Sequence, residues 1–557
     1  MNVEDWDFDS AIGRYLLRRF KWGLLTLVLG LIVIWGPDLD AKWRFIIAAS
    51  LVAGCVLFLF IWDYFVAGNS GLRLLPPWRR SRQNTDGDAR FLSLFELLTK
   101  FRWKADGIVL GRPLRQHRPF GCFKRSWIGR TDGHVLTVFG TRSGMRQPPS
   151  LIPTLLLYPG SALVIDPKGE LAQITAARRG HGSNRVTRCL QQRVFILDPE
   201  NQVPTAEKAR WNPLREFDPH DPDLIAKVQK IAYAVVPPEP SGEEQCSLGQ
   251  ARDLLTMLIL HVFDVEPIEH HNLIFVRRRL TDPFEALLEF MAQGSAQGGK
   301  VAEYAKAFLA LPVDMRNRII GDLYTRTCFL DQPGLQHMLE ASDFTLQELK
   351  LHPTTIYVCF RGTSLATTMR PIANVLLDLA IDAMESVPHK PRHNVLFALD
   401  EFYLLGRQAS IERAMRSSAG IGVRLWLILQ TLDQLKQHYP TWDTFIRNCG
   451  AVQYAGDLSS ETIQDLEKQI GDVVTVAKDG RRDRRPLLSV NELATSYFSR
   501  ESRRVLVFFK QQPPAPLEWI EYYNEPSLAS LAEPLSTAQN AAATAAWARQ
   551  DPAVRAR

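Results

Sequence analysis

Cysteine is scarce in this 557-residue chain: its seven (Cys55, Cys122, Cys189, Cys246, Cys328, Cys359 and Cys449) are odd in number, widely separated, and form no CxxC or Cys/His cluster. That excludes a disulfide framework and a structural zinc site, and it fits free thiols in a reducing compartment. A dominant charge is lacking too. The 66 Lys and Arg against 60 Asp and Glu leave a net charge of +6 and a pI near 8.9, compatible with nucleic acid or acidic lipid but diagnostic of neither. With 46% hydrophobic and 23% charged residues and a mean hydropathy of -0.11, the chain is neither intrinsically disordered nor a polytopic membrane protein filled with spans. There is no internal repeat. Its length calls for about three or four domains at roughly 100 to 200 residues each.

Two uncharged apolar runs stand out, Trp22 to Gly36 and Phe45 to Trp62, separated by the eight residues PDLDAKWR. They read as a helical hairpin in a bilayer, the second run reaching about 27 Å at 1.5 Å per residue and the first relying on flanks that snorkel. Trp22, Trp35, Trp43, Trp62 and Tyr64 sit at the ends of the runs, where interface aromatics gather. Arg14, Arg18, Arg19 and Lys21 precede the hairpin and Arg73, Arg79, Arg80 and Arg82 follow it. By the positive-inside rule, both the N-terminus and the body after residue 70 are expected on the cytoplasmic side.

Beyond the hairpin, short β-branched runs predict buried strands: HVLTVFG at 134, ALVIDPKG at 162, RVFILDP at 193, TTIYVCF at 354, NVLFALDEF at 394, VRLWLILQ at 423 and RVLVFFK at 504. Near-continuous apolar runs suit a parallel sheet covered on both faces by helices. Between about 205 and 345 the pattern turns amphipathic at helical spacing, as in LGQARDLLTMLILHVF and KVAEYAKAFLAL, so an all-helical domain is expected inside an α/β domain. From about 511 the Pro- and Ala-rich tail is expected to be mobile. The organisation predicted is therefore a transmembrane hairpin over 1–70, two parts of an α/β domain over 71–204 and 346–510 flanking the helical domain over 205–345, and the tail over 511–557.

The sharpest local signal is NVLFALDEF, which places Asp400 and Glu401 at the carboxyl end of a strand. Ligands of open α/β sheets bind at that edge, where one acid can hold a magnesium ion and its neighbour can orient an attacking water. A second signal is the strand HVLTVFG, the glycine-containing turn TRSG and a helix pattern from about Ser150, the layout of a phosphate-binding loop. The GxxxxGK(S/T) pattern fails there, because Met145 and Arg146 follow Gly144 and two prolines at 148 and 149 remove backbone donors. On residues alone, an ordinary tight turn explains this stretch better than an active loop.

The collinear order of two N-terminal spans, TRSG with LIPTLLLYPGSALVIDPKGE, ARDLLTMLILHV, VLFALDEFYLLGR, GVRLWLILQTLDQLKQHY and RRPLLSVNELATSYFSRESRRVLVFFKQQPPAP resembles the VirD4/TraG family, over about residues 10 to 525. These are the coupling proteins of type IV secretion systems. The resemblance implies a RecA-like P-loop NTPase fold with a mostly parallel sheet and an inserted all-α domain. It also implies an inner-membrane anchor, ATP with Mg2+ as cofactors, assembly as a homo-hexamer, and partners among the other secretion subunits, secreted effector proteins and DNA. Protein effectors are the favoured cargo, since no long acidic tail is present to dock a DNA-processing complex. Carried over by position, Gly140, Thr141, Arg142, Ser143 and Gly144 fall on the Walker A turn, and Asp400 (the Mg2+ ligand) and Glu401 on Walker B. Gln430 falls on a γ-phosphate sensor, and Asp166, Lys168 and Glu170 on the DPKGE segment beside the nucleotide.

Met145 stands where the family places the Walker A lysine, removing a charge normally directed at the transferring phosphoryl group. Either Arg146 or Lys168 substitutes, or the chain is an inactive receptor for effectors, or the residues from Met145 to Pro149 reflect a local frameshift. A DNA translocase of the FtsK type is the remaining alternative. Arg413, Arg416 and Arg424 are candidates for an arginine finger, with solvated charge the simpler reading of each, and RRDRR at 481–485 is either a substrate-facing loop or a solvated turn. Gly71 to Gln147 carries 16 Lys and Arg against 5 Asp and Glu, so the weak global charge conceals a basic segment beside the predicted anchor, where an anionic leaflet would attract it.

Overall fold

The apolar runs become the centre of a ten-stranded sheet in a computed structural model. It describes residues 89–114, 126–129, 131, 133–140, 148–204, 206–238, 244–281, 283–417, 420–476, 482–499 and 502–534. The predicted hairpin over 1–70 lies outside them. Among the described residues, no helix is long and apolar enough to cross a membrane.

The strands are β1 (Arg112–Pro113), β2 (His134–Gly140), β3 (Ala162–Ile165), β4 (Arg193–Leu197), β5 (Thr354–Val358), β6 (Val395–Leu399), β7 (Val423–Leu429), β8 (Cys449–Gly456), β9 (Asp472–Val476), β10 (Arg482–Pro486), β11 (Arg504–Phe509) and β12 (Ala515–Glu518). Sheet order is β1-β12-β11-β8-β2-β7-β6-β3-β5-β4. From β8 to β4 every pairing is parallel. At the other edge β8, β11, β12 and β1 pair antiparallel, so RVLVFFK is a strand but departs from the parallel expectation.

Side chains alternate between two buried faces. Leu136, Val138, Phe397, Leu399, Leu427 and Leu429 enter one core, while Val135, Phe139, Leu396, Ala398, Trp426 and Ile428 enter the other. Burial on both faces explains why these strands read as continuous apolar runs rather than alternating ones.

Between β4 and β5 the described regular elements are helical, including Leu224–Val235, Glu244–Val265, Phe284–Gln293, Lys300–Leu309 and Val313–Arg326. In Leu224–Val235 the buried residues are Leu224, Val228, Ile231, Ala232 and Val235, one stripe at helical spacing. That stripe joins the same core as one face of the sheet, so the helical segment is packed onto the α/β body rather than tethered to it.

The tail expectation needs correction over 515–534. Ala515–Glu518 forms β12, Ala515 and Leu517 are fully buried, and Leu528 and Leu531 join the second core. Pro514 and Pro516 disguised the strand, since proline is uncommon inside sheets. Residues 535–557 lie outside the described set.

The chain divides into two compact units, Met1–Asp88 with Val473–Arg485, and Ala89–Asp472 with Pro486–Arg557. In the first, the described part is the ribbon formed by β9 and β10, where Asp483, Arg484 and Arg485 of the RRDRR run are exposed. All other described elements belong to the second.

Two glycines close the sheet where β2 and β8 end. Gly140 and Gly456 are register partners; a Cβ on Gly140 would lie 1.7 Å from the Asp457 carbonyl oxygen, and one on Gly456 would lie 2.3 Å from that of Gly140. Gly456 also holds φ +75°. Gly456→Ala is therefore expected to cost at least about 1–3 kcal/mol from backbone strain alone. Denaturant titration would show this as a lowered midpoint, and an unchanged midpoint would contradict the close approach.

Candidate functional site

Four adjacent parallel strands, in the order β2, β7, β6, β3, end on the same edge of the sheet. Gly140 closes β2, Gln430 follows β7, Asp400 and Glu401 follow β6, and Asp166 follows β3. Residues separated by more than two hundred positions in sequence thus converge because parallel pairing aligns every carboxyl terminus. An open cleft lies there, lined by Phe139, Pro148, Lys168, Asp400, Glu401, Ile428, Leu429 and Gln430. Phe139 and Pro148 flank the predicted Walker A turn in sequence, while Thr141, Arg142, Ser143 and Gly144 themselves lie outside the described residues.

The cleft gathers Lys168, Asp400, Glu401 and Gln430 from the predicted set. Asp400 is almost fully buried, and its Oδ1 accepts the Glu401 N–H at 3.1 Å. Burial pushes its carboxyl up to about 7; Lys168 opposes that rise and the Glu401 charge adds to it. Glu401 sits at φ +50°, ψ +45°, a left-handed conformation rare for a residue with a side chain, at the sharp turn out of β6. Its Oε1 is 3.2 Å from the Lys168 ammonium. Burial pulls Lys168 down, but Asp400, Glu401 and Glu170 outweigh it and hold the ammonium above its ordinary range.

Gln430 extends β7 into the cleft. Its backbone N–H donates to the Gln434 side chain at 2.8 Å, which, with the Thr431 capping box, starts the helix Leu432–His438 and anchors the turn carrying Gln430.

Asp166 is adjacent but does not line the cleft. Fully buried, it accepts the Ala172 N–H at 2.9 Å through Oδ2 and so caps the helix Glu170–Arg179. Its carbonyl accepts the Gly169 N–H at 3.2 Å, closing the turn that presents Lys168. Burial raises its carboxyl to about 7, with Asp400 and Glu170 adding to the rise. Gly140 is explained by its contact with β8, independently of any phosphate.

Of the arginine candidates, Arg424 is buried at the start of β7, the end remote from the cleft, and donates to the Asp106 carbonyl at 2.5 Å. A finger would reach into a neighbouring subunit's site, and burial withholds Arg424 from that role. Arg413 pairs with Asp382 at 3.7 Å, and Arg416 with Glu412 at 2.8 Å.

Sequence reasoning missed the buried network behind the cleft. Gln453 Nε2 donates to the Ser150 hydroxyl and the Leu110 carbonyl, both at 2.7 Å, while its Oε1 accepts from Thr137 at 3.0 Å, and Trp426 donates to Thr137 at 2.9 Å. The network ties β2, β7 and β8 to the start of the helix Leu151–Leu157. The signal available was a glutamine inside the otherwise small, apolar run CGAVQYAG.

Comparisons with known proteins bear on the family and the fold. The family model described as type IV secretory system conjugative DNA transfer matches residues 95–545. The chain belongs to this family. It is 27% identical over 369 residues to the conjugal transfer protein TraG of Escherichia coli, covering 62% of this chain and 56% of that protein. Against the protein VirD4 of Agrobacterium fabrum (strain C58), identity is 27% over 450 residues, covering 73% and 62%. The chain thus spans less than two thirds of those relatives. Among solved structures, the bacterial conjugative coupling protein TrwBdeltaN70 in its unbound form superposes with a TM-score of 0.59 at 18% identity, covering 79% of this chain and 95% of that one. The plasmid coupling protein TrwB in complex with ADP and Mg2+ gives 0.53 at 16% identity, covering 79% and 96%. The resemblance to VirD4/TraG proteins and the mixed α/β fold with a mostly parallel sheet are both upheld.

Because Asp400 keeps its proton up to about pH 7 when folded but ionises near its ordinary 3.8 when unfolded, the native state binds the extra proton between those values. Stability from this group therefore falls as pH rises through that window, and the cost of burying the ion is complete above it. Asp400→Asn, which still accepts the Glu401 N–H, is expected to melt higher than wild type at pH 8 and to lose more than half of that advantage by pH 5. An equal difference at both pH values would contradict this account.

Proposed function

We propose that this chain is an ATP-driven coupling subunit of a type IV secretion system, recruiting cargo to the secretion channel. The observation that carries it is the convergence of Lys168, Asp400, Glu401 and Gln430 on one cleft at the carboxyl edge of the parallel sheet, between the two residues flanking the Walker A turn. Family membership supports the reading, and TrwB structures with ADP and Mg2+ or an ATP analogue support the choice of ligand.

The residues suit a phosphate-bound divalent ion. Glu170, Asp400 and Glu401 act on one ammonium, and a divalent ion entering the cleft would favour the ionised form of Asp400, which burial otherwise disfavours. Among the described residues no group of three or more His, Cys, Asp or Glu could hold a metal alone, so phosphate and water would have to supply the remaining ligands of a divalent ion. Asp400 would hold Mg2+, the turn from Gly140 to Gly144 and Lys168 would take phosphate oxygens, Gln430 would sense the terminal phosphate, and Glu401 would orient the attacking water and accept its proton. Bound ATP supplies the free energy of hydrolysis.

The anchor over 22–36 and 45–62, the inner-membrane placement with a cytoplasmic body, and assembly as a homo-hexamer with other secretion subunits belong to the same proposal, drawn from the sequence and the resemblance. For cargo, conjugative DNA transfer in the family description moves the balance from protein effectors toward DNA, with protein bound to it. Cargo recruitment is assigned to the helical segment between β4 and β5.

ATP turnover by the purified full chain tests this. Wild type is expected to hydrolyse ATP in a Mg2+-dependent manner, and Glu401→Gln to lower turnover by about 10²-fold or more while still binding nucleotide. Turnover that survives Glu401→Gln would refute the assignment, and a chain that neither binds nor hydrolyses ATP would leave a nonenzymatic receptor.

A further inference from the structure

The site lacks a lysine where its family places one, at Met145, yet the cleft is not without a cation. Among the described residues that line it, Lys168 is the only basic one. Its ammonium is 3.2 Å from the Glu401 carboxylate, and its side chain keeps about a third of its surface exposed. The backbone presenting it is fixed. Asp166 caps the following helix and closes the turn to Gly169, and Gly169, at φ +66°, is packed so that an added Cβ would lie 3.0 Å from Gln202 and 3.1 Å from Val203. The flexible stem of Lys168 is left to move, and it lines the cleft.

We propose that Lys168 is the phosphate-neutralising cation of this site in place of the residue at 145, and that Glu401 holds it in reserve until phosphate takes it over. The two roles exclude each other. While Glu401 is paired with the ammonium, its Oε1 is engaged by the lysine and not open to a water; while Lys168 is paired with Glu401, its charge is spent on a carboxylate. A terminal phosphate entering the cleft competes for Lys168, and success frees Glu401 to accept a proton from water. Hydrolytic competence then follows phosphate arrival without movement of the backbone, and the idle state is protected from water activation. This rests on the nucleotide reading and names the cation that reading leaves unfilled.

A binding cycle on the full-length chain, using a fluorescent non-hydrolysable ATP analogue with Mg2+, tests the proposal. Lys168→Ala is expected to weaken binding by about 10- to 100-fold, the range for losing a charged hydrogen bond. Lys168→Arg should retain most of the affinity. Glu401→Gln, by releasing the lysine, should tighten binding by about 2- to 5-fold, the range for a partly exposed ion pair. The gain should vanish in the Lys168→Ala, Glu401→Gln double variant. Adding Met145→Lys to Lys168→Ala should restore both binding and turnover, which a merely structural role for Lys168 would not predict; melting curves show whether each variant is folded. If folded Lys168→Ala binds and hydrolyses like wild type, the assignment of Lys168 fails. If Glu401→Gln tightens binding equally with and without Lys168, the antagonism fails. A wild-type chain that binds no analogue overturns the nucleotide reading together with this one, and the first measurement identifies that case.

Discussion

Parallel pairing of β2, β7, β6 and β3 is the constraint on which the site depends. In a parallel ladder every strand leaves the sheet on the same side, so the residue after each strand meets the residue after its neighbour. Each of these strands is buried on both faces, which fixes register, because a one-residue slip would exchange the two cores. The cleft is therefore located by hydrophobic packing, although none of its chemistry is hydrophobic.

Behind the cleft, polar groups removed from water are satisfied in ways that hold the site residues still. Arg179 is fully buried, yet donates to the carbonyls of Leu155, Tyr158 and Gly160 and to the side chains of Gln192 and Thr355, at 2.6 to 3.0 Å. It anchors the far end of the helix that Asp166 caps. Gln453 performs a similar task for the helix Leu151–Leu157. Buried donors of this kind are costly if left unmet, so the second layer is locked wherever its partners are present. The cleft itself is left with opposing charges that can exchange partners.

Much of this was legible in the sequence, and the limits have physical causes. The run VLFAL before Asp400 and Glu401 declared both a buried strand and its carboxyl end, and the other apolar runs became strands within a residue or two of their expected starts. β8 escaped notice because CGAVQYAG is built from small residues, with a glutamine at its centre whose partners lie on β2 and in the helix-start network. β12 was hidden by its prolines. Lys168 stands out in the DPKGE segment, but its ion pair with Glu401, 233 positions away, is supplied by the fold. A contact between neighbouring strand ends has no local sequence signature. The arginines illustrate the same limit: position in sequence suggests a finger in Arg424, whereas the fold buries it with its guanidinium on the Asp106 carbonyl.

Glu401 combines a carboxylate with a left-handed backbone, and the combination bears on how the protein could be engineered. Glycine or asparagine would relax that turn by about 1 kcal/mol or more, so selection for thermal robustness alone would favour replacing Glu401. A library screened by melting temperature would then enrich chains that fold better and have lost the carboxylate. Stabilising this protein safely means holding position 401 constant and seeking gains elsewhere.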